Sequence, residues 1–349
     1  MTMRNSVTAG LSTLLLLFVQ SSLAQSGDAD PLFQGHEILQ ATFEGPLIEF
    51  IDKKSKEKEL KGTFSVVDTD GIKLEFDLKF RARGNFRHAN CDYPPIRLNF
   101  KKGQTKKTLF DQQNKLKLVV HCNRRAQYHQ IVLQEYLAYR ILNILTDLSF
   151  RVRLLQIVYS DPEENEQSPP RYAFLIENKD RVAHRLDLKE YETEKGQVGL
   201  MHGEHLNLTS IFQYFIGNTD FSPVAGPPGE GCCHNYVLFK EQRSANITAI
   251  PYDFDQSGFV DAPYANPNPN FRIRSVTQRV YRGRCLNNRF IDSSIQKLND
   301  NRDAIYELVE QQPGFDDRTR KDLVKFIDKF YELAEDPVKI EKQIANNCL

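Results

Sequence analysis

The chain has 349 residues, 40% of them hydrophobic and 26% charged, which is enough to bury a substantial core in one large domain or two lobes. Lys plus Arg and Asp plus Glu both number 46, giving a net charge of zero. No polybasic field points to nucleic acid or an anionic membrane, so any phosphate binding has to be local.

The first segment reads as an export signal. Arg4 supplies a small positive region, "LSTLLLLFV" (11–19) an apolar run too short to span a bilayer, and "SSLA" small residues before Gln25. Cleavage is expected near Ala24, placing the mature chain in the periplasm or outside the cell. A retained anchor helix is the alternative. No later run reaches the length of a spanning helix. The six cysteines (Cys91, Cys122, Cys232, Cys233, Cys285 and Cys348) fit an oxidising compartment. Cys91 with Cys122 is the favoured pair. The vicinal Cys232 and Cys233 are expected to bond elsewhere rather than to each other. A metal reading of "CCH" (232–234) lacks a second ligand pair at zinc-like spacing.

Residues 45–120 are β-rich. "LKGTFSVV" and "IKLEFDLKFRARGN" alternate apolar and polar residues around the turn "DTDG", and "PPIRLNF" and "KLKLVV" continue the pattern. The period then changes: Leu133, Leu137, Ile141 and Leu145 place a helix over 127–145. "RVRLLQIVYS" and "RYAFLIE" are two further strands, joined by the loop "DPEENEQSPP". "HLNLTSIFQYFI" (205–216) reads as a buried helix, with His202 and His205 flanking a surface turn before it. After the long Gly/Pro loop "GNTDFSPVAGPPGEGCC", "HNYVLFK" and "ITAIPYDFD" form a hairpin, and the last third is helical. The expected organisation is a signal peptide (1–24), a β-rich N-lobe with one helix (25–180) and a mostly helical C-lobe (181–349).

Three pieces carry chemistry. Lys117 in a strand precedes Glu135 on the next helix, and a strand Lys oriented by a helix Glu is how kinases neutralise nucleotide phosphates. Lys115 shares the Lys117 face, leaving the choice between them open. A solvated strand Lys and an ordinary helix edge is the competing view. Asp220 opens an irregular loop after an apolar helix, as a catalytic-loop Asp does, or closes a turn. Asn235 and Asp253 flank a tight hairpin, where an amide oxygen and a carboxylate can hold Mg²⁺. Asp255 shares the face of Asp253 and is a second candidate. "DFDQSG" also matches half of a calcium loop, but the position of its closing Glu is Pro263.

The segments "RARGN" (81–85), "PPIRLNF" (94–100), "KLKLVVHC" (115–122), "LQEYLAYRILNIL" (133–145), "YAFLIE" (172–177), "GNTD" (217–220), "HN" (234–235), "PYDFDQSG" (251–258) and "IRSVTQRVYRGRC" (273–285) occur in that order. Over roughly residues 75–290 the chain resembles the spore-coat-protein-H-like (CotH) family of secreted protein kinases, most of all its exported bacterial branch. The resemblance implies an α+β, atypical kinase-like two-lobed fold that binds ATP and Mg²⁺ or Mn²⁺ and phosphorylates a Ser- or Thr-type hydroxyl on an exported substrate. Carried over, Asp220 is the catalytic-loop Asp, and Asn235 and Asp253 (with Asp255) are the metal ligands. No G-x-G-x-x-G loop is present, so Arg81, Arg83 or Arg87 of "RARGNFR" is assigned to cover the phosphates. Asp220 and Asn235 are 15 residues apart, wider than in the H-R-D-x-x-x-x-N pattern, and no His-Arg precedes Asp220. The rival functions are a non-catalytic pseudokinase or envelope binding protein, and a metal-dependent hydrolase using Asp253 and Asp255. The hydrolase would lack HExxH and GxSxG elements.

Overall fold

The computed structural model describes residues 27–349 except Thr69 and Arg243, so the expected signal peptide lies outside the described residues. Among the described residues, eleven strands and nine α-helices follow in chain order: β1 (Leu39–Glu44), α1 (Leu47–Lys53), β2 (Leu60–Val67), β3 (Lys73–Ala82), α2 (Phe86–Asn90), β4 (Ile96–Phe100), β5 (Lys115–Val119), α3 (Gln127–Leu145), β6 (Val152–Asp161), β7 (Glu166–Gln167), β8 (Arg171–Ile176), α4 (Lys179–Arg185) and β9 (Leu188–Glu190), then α5 (Gly203–Phe215), β10 (Tyr236–Glu241), β11 (Ile247–Pro251), α6 (Ile291–Asp300), α7 (Arg302–Gln311), α8 (Asp317–Ala334) and α9 (Pro337–Gln343).

Seven strands close into a barrel in the order β1-β2-β3-β4-β5-β8-β6, with β6 returning to β1 and the short β7 added outside β6. Every neighbouring pair is antiparallel except β1 and β6, which run parallel with Gln40 opposite Gln156. The period of two along β3 shows why these residues make a barrel wall. Phe76, Leu78, Phe80 and Ala82 are buried inside, while Glu75, Asp77 and Lys79 face out. The interior is filled by aromatic rings in edge-on contact, such as Phe43 with Phe80 at 4.8 Å and Phe76 with Phe100 at 5.6 Å between centroids. Pairs of this kind contribute about 0.5–1.5 kcal/mol beyond the area they bury.

α3 is buried along most of its length, its apolar residues covered from more than one side. One core runs from Leu133, Leu137 and Ile141 of α3 through the outer faces of β6 and β8 to α5, then on to Ile295, Val309, Ile327 and Phe330 of the C-terminal helices. The barrel interior is a separate cluster.

The two-lobed kinase-like fold expected from the sequence is therefore corrected. The parallel β1–β6 pairing closes the N-terminal sheet into a barrel. The shared core runs without a break from residues 91–186 into the helices beyond 211. A small three-stranded sheet, β11-β10-β9, completes the chain.

Cys91 bonds Cys122 (S–S 2.12 Å) and Cys285 bonds Cys348 (2.04 Å). Cys232 and Cys233 lie at disulfide distance from each other, against the expectation that they bond elsewhere. No helix of the described residues is long and apolar enough to cross a membrane. The paired cysteines fit an oxidising compartment.

Candidate active site

A cleft of ≈ 820 Å³ lies between the outer face of β3–β5 and the β10–β11 hairpin. Pleating sets its first wall. Arg97 of β4 and Lys117 of β5 are direct cross-strand partners, and both point out of the barrel into the cleft, as does Arg83 just past β3. Arg87, on the short α2, completes a cationic side. Arg97 was not singled out from sequence. The signal was its odd-numbered place in "PPIRLNF", on the face opposite Ile96 and Leu98.

The other wall is acidic. Gly217, at φ +65°, lets the chain turn off the end of α5, and Asn218 Oδ1 accepts from the backbone N–H of Asp220 at 2.8 Å. Both Asp220 carboxylate oxygens are then engaged. Oδ1 meets His234 Nε2 at 2.8 Å, and Oδ2 accepts from Asn235 Nδ2 at 3.1 Å. Its side chain stays 40% exposed, so a ligand can still reach it. The hydrogen bond to Asp220 also raises the affinity of His234 for a proton.

The hairpin brings Asn235 and Asp253 to one end. Tyr236 pairs with Pro251, and the Tyr252 N–H donates to the Asn235 carbonyl at 3.0 Å. Both Asn235 (φ 53°) and Asp253 (φ 64°) adopt the left-handed conformation, uncommon for a residue with a side chain and concentrated at functional sites. The Asp253 backbone is held there by Tyr139 of α3, whose hydroxyl accepts its N–H at 2.8 Å. Asp255 also lines the cleft and accepts from the Tyr264 hydroxyl at 3.0 Å. Sequence reading missed Tyr139 and His234 as parts of this site. Each acts on a residue distant in sequence or hidden in a bland motif.

Three sequence assignments change. Glu135 does not pair with Lys117; it meets Arg87 at 3.5 Å, in a pair only 10% and 3% exposed at the two side chains. The Lys117 ammonium instead sits 4.5 Å over the Tyr252 ring. The α3 face carrying Glu135 packs toward α2 and Asp255, so the nearest cation on offer is a guanidinium rather than the strand lysine. Lys115 and Arg81 are outside the cleft. Arg81 turns to the Lys56 carbonyl, while Lys115 lines an adjoining hollow of ≈ 890 Å³ that shares Arg97, Lys117 and Tyr252 with the cleft. His202 and His205 do not flank a surface turn. His202 caps α5, its Nδ1 accepting the His205 N–H at 3.2 Å. His205 is buried, with Nε2 at 3.1 Å from the Ala249 carbonyl.

The electrostatics are those of a crowded, poorly hydrated site. Burial, with Arg83 beside it, pushes Lys117 down to about 8. Burial and the neighbouring Asp253 push Asp255 up to about 7. Burial, then the Asp255 carboxylate, raises Glu135 well above the usual carboxylate range. Desolvation opposes charge on Arg87, but Tyr264, Glu135 and the two aspartates outweigh it and hold the cation firmly. Glu135 and Asp255 thus face one guanidinium with more acid than it can neutralise, an arrangement that a further cation would complete.

No family model matches the chain, and no curated protein matches it in sequence comparison.

Proposed function

We propose that this cleft is a metal-dependent phosphotransferase site, moving the terminal phosphoryl group of a nucleoside triphosphate such as ATP to a hydroxyl acceptor. The observation that carries the reading is the opposition of two walls: Arg83, Arg87, Arg97 and Lys117 on one side, and Asp220, Asn235, Asp253 and Asp255 on the other. Phosphoryl transfer calls for positioning and charge stabilisation more than covalent chemistry, and these walls supply both.

The donor set fits Mg²⁺ or Mn²⁺. Among the described residues no three His, Cys, Asp or Glu converge as a complete cation cage. Mg²⁺ at a nucleotide typically takes only one or two carboxylates, with phosphate oxygens and water filling the shell. Asp253 and the Asn235 side-chain oxygen would hold it, with Asp255 adjacent. When bound, the ion neutralises charge on the transferring group.

Asp220 has the geometry of the acceptor's base. With both oxygens fixed by His234 and Asn235, the carboxylate is oriented before substrate arrives and takes up the proton of the attacking hydroxyl. Lys117 and Arg83 hold the phosphate oxygens in place. The Arg87–Glu135 pair positions the cationic wall from behind.

Nucleotide with Mn²⁺ is expected to raise the melting temperature, since a ligand at ~100 times its Kd adds about 2.7 kcal/mol to stability. Asp253→Ala should lose that shift. Asp220→Asn should keep it while transfer of labelled γ-phosphate falls about 10²–10⁴-fold. Absence of any shift at millimolar nucleotide with metal sinks the proposal. Retention of the shift in Asp253→Ala removes Asp253 from the metal set.

A further inference from the structure

A second cavity, ≈ 290 Å³, opens at one end of the barrel, on the other face of the strands that form the cleft. Arg97 and Val119 face the cleft, whereas Ile96 and Val120, their chain neighbours, line this cavity. Its floor is apolar: Leu47, Phe50 and Ile51 of α1 stand with Ile96 and Val120, and the rings of Tyr93 and Tyr159 form part of the wall.

Two cations and two carboxylates stand at this otherwise apolar pocket. Arg124 and Arg171 both line it. Arg124 Nε donates to the Tyr93 hydroxyl, and an Arg171 Nη contacts His129 Nε2; among the described residues neither guanidinium makes an ion pair. Of the two carboxylates at the cavity, Asp161 is buried, turning Oδ2 to the Ile48 N–H at 2.8 Å while Oδ1 is enclosed without a hydrogen-bond partner. Glu166 stands exposed on the β6–β7 hairpin and acts on Arg124 only through its field. The remaining lining base, His121, is held neutral: burial, then His129, Arg171 and two further arginines push it down to about 3.

We propose that this cavity is a binding site for a small aromatic carboxylate, its ring on the apolar floor beside Tyr93 and Tyr159 and its carboxylate received by Arg171 and Arg124. A guanidinium fork matches a planar carboxylate in two parallel hydrogen bonds, and a cavity near the lower limit of ligand pockets suits a single ring with a short side chain. The site is separate from the phosphotransferase cleft and does not depend on its function.

Phenylacetate and its neutral isostere phenylacetamide, titrated into the full-length protein by calorimetry or ligand-observed NMR, test this. Phenylacetate should bind saturably and phenylacetamide at least tenfold more weakly. Arg171→Gln should erase that preference, and Ile51→Trp, which fills the floor, should abolish both. Pro169→Trp at the exposed rim is the second filling variant if Ile51→Trp does not fold. Asp253→Ala should change neither affinity. The proposal is overturned if phenylacetate shows no saturable binding up to ~10 mM, if acid and amide bind equally, or if the filling variants bind unchanged.

Discussion

Lys117 and Arg87 stand on one wall of the cleft but answer to different neighbours, and their substitutions separate accordingly. Arg87 is the counter-cation of Glu135 and lies close enough to Asp255 and Asp253 to hold its charge despite burial. Arg87→Met leaves buried carboxyls without it, and breaking such a pair costs about 3–5 kcal/mol. Urea denaturation should register that loss. Lys117 has no ion pair among the described residues, and burial already works against its charge. Lys117→Met should therefore leave stability within about 1 kcal/mol of wild type, or raise it, while nucleotide affinity falls at least tenfold. Equal destabilisation by the two substitutions would mean that Lys117 is structural. Much of this was readable from sequence, because "KLKLVV" put Lys117 on a strand and the helix put Glu135 within reach of that strand. The partner Glu135 takes, Arg87 in place of the expected Lys117, was not readable. It depends on where α2 delivers Arg87, a five-residue helix with no periodic signature of its own.

At the scale of the element, α5 links the catalytic loop to the hairpin. Its first turn is fastened by His202, and the buried His205 reaches the Ala249 carbonyl of β11, so the helix that leads into the Asp220 loop is tied to the strand that precedes Asp253. Burial, with His202 adding, lowers His205 to about 3, against an ordinary 6.5 in the unfolded chain. Between those values the unfolded state binds the extra proton. Stability contributed here is complete above about pH 6.5 and is lost as the pH falls, by about 2 kcal/mol at pH 5 for a difference of 1.36 kcal/mol per unit. Asp255, raised to about 7, works in the opposite sense over the same range, so wild type alone does not isolate the effect. His205→Asn keeps an N–H for the carbonyl and removes the titration. The stability difference between pH 7 and pH 5 should be smaller in this variant; an unchanged difference would assign the acid sensitivity to His121 or His36, which burial also lowers. Elements such as α3 and β3 were legible because one strong period runs through each. β1, α4 and β9 were not, being short segments whose order comes from their partners rather than from their own pattern.

At the scale of the whole molecule, barrel closure decides how the protein unfolds. β1 and β6 meet across more than a hundred residues, and no local pattern announces a parallel pairing of that separation. Sequence reading, given a β-rich half and a helical half, naturally separates them into lobes. The core from α3 to α8 denies that separation: Leu133, Phe212 and Phe330 belong to one cluster, with the barrel strands β6 and β8 supplying Leu154 and Phe174 to it. Two lobes joined by a hinge would unfold in two steps. This chain is expected to unfold in one, with tertiary packing and secondary structure reporting the same midpoint by near-UV and far-UV dichroism. The disulfides sharpen the test, because they fall in different halves. Cys91–Cys122 spans 31 residues beside the barrel, and Cys285–Cys348 spans 63 and fastens the C-terminus. By loop-closure entropy each contributes about 4 kcal/mol. Replacing either pair with serines should shift both spectroscopic transitions together and by similar amounts. If the Cys285–Cys348 replacement splits unfolding into two separate transitions, the halves are separate folding units and the continuous core does not couple them.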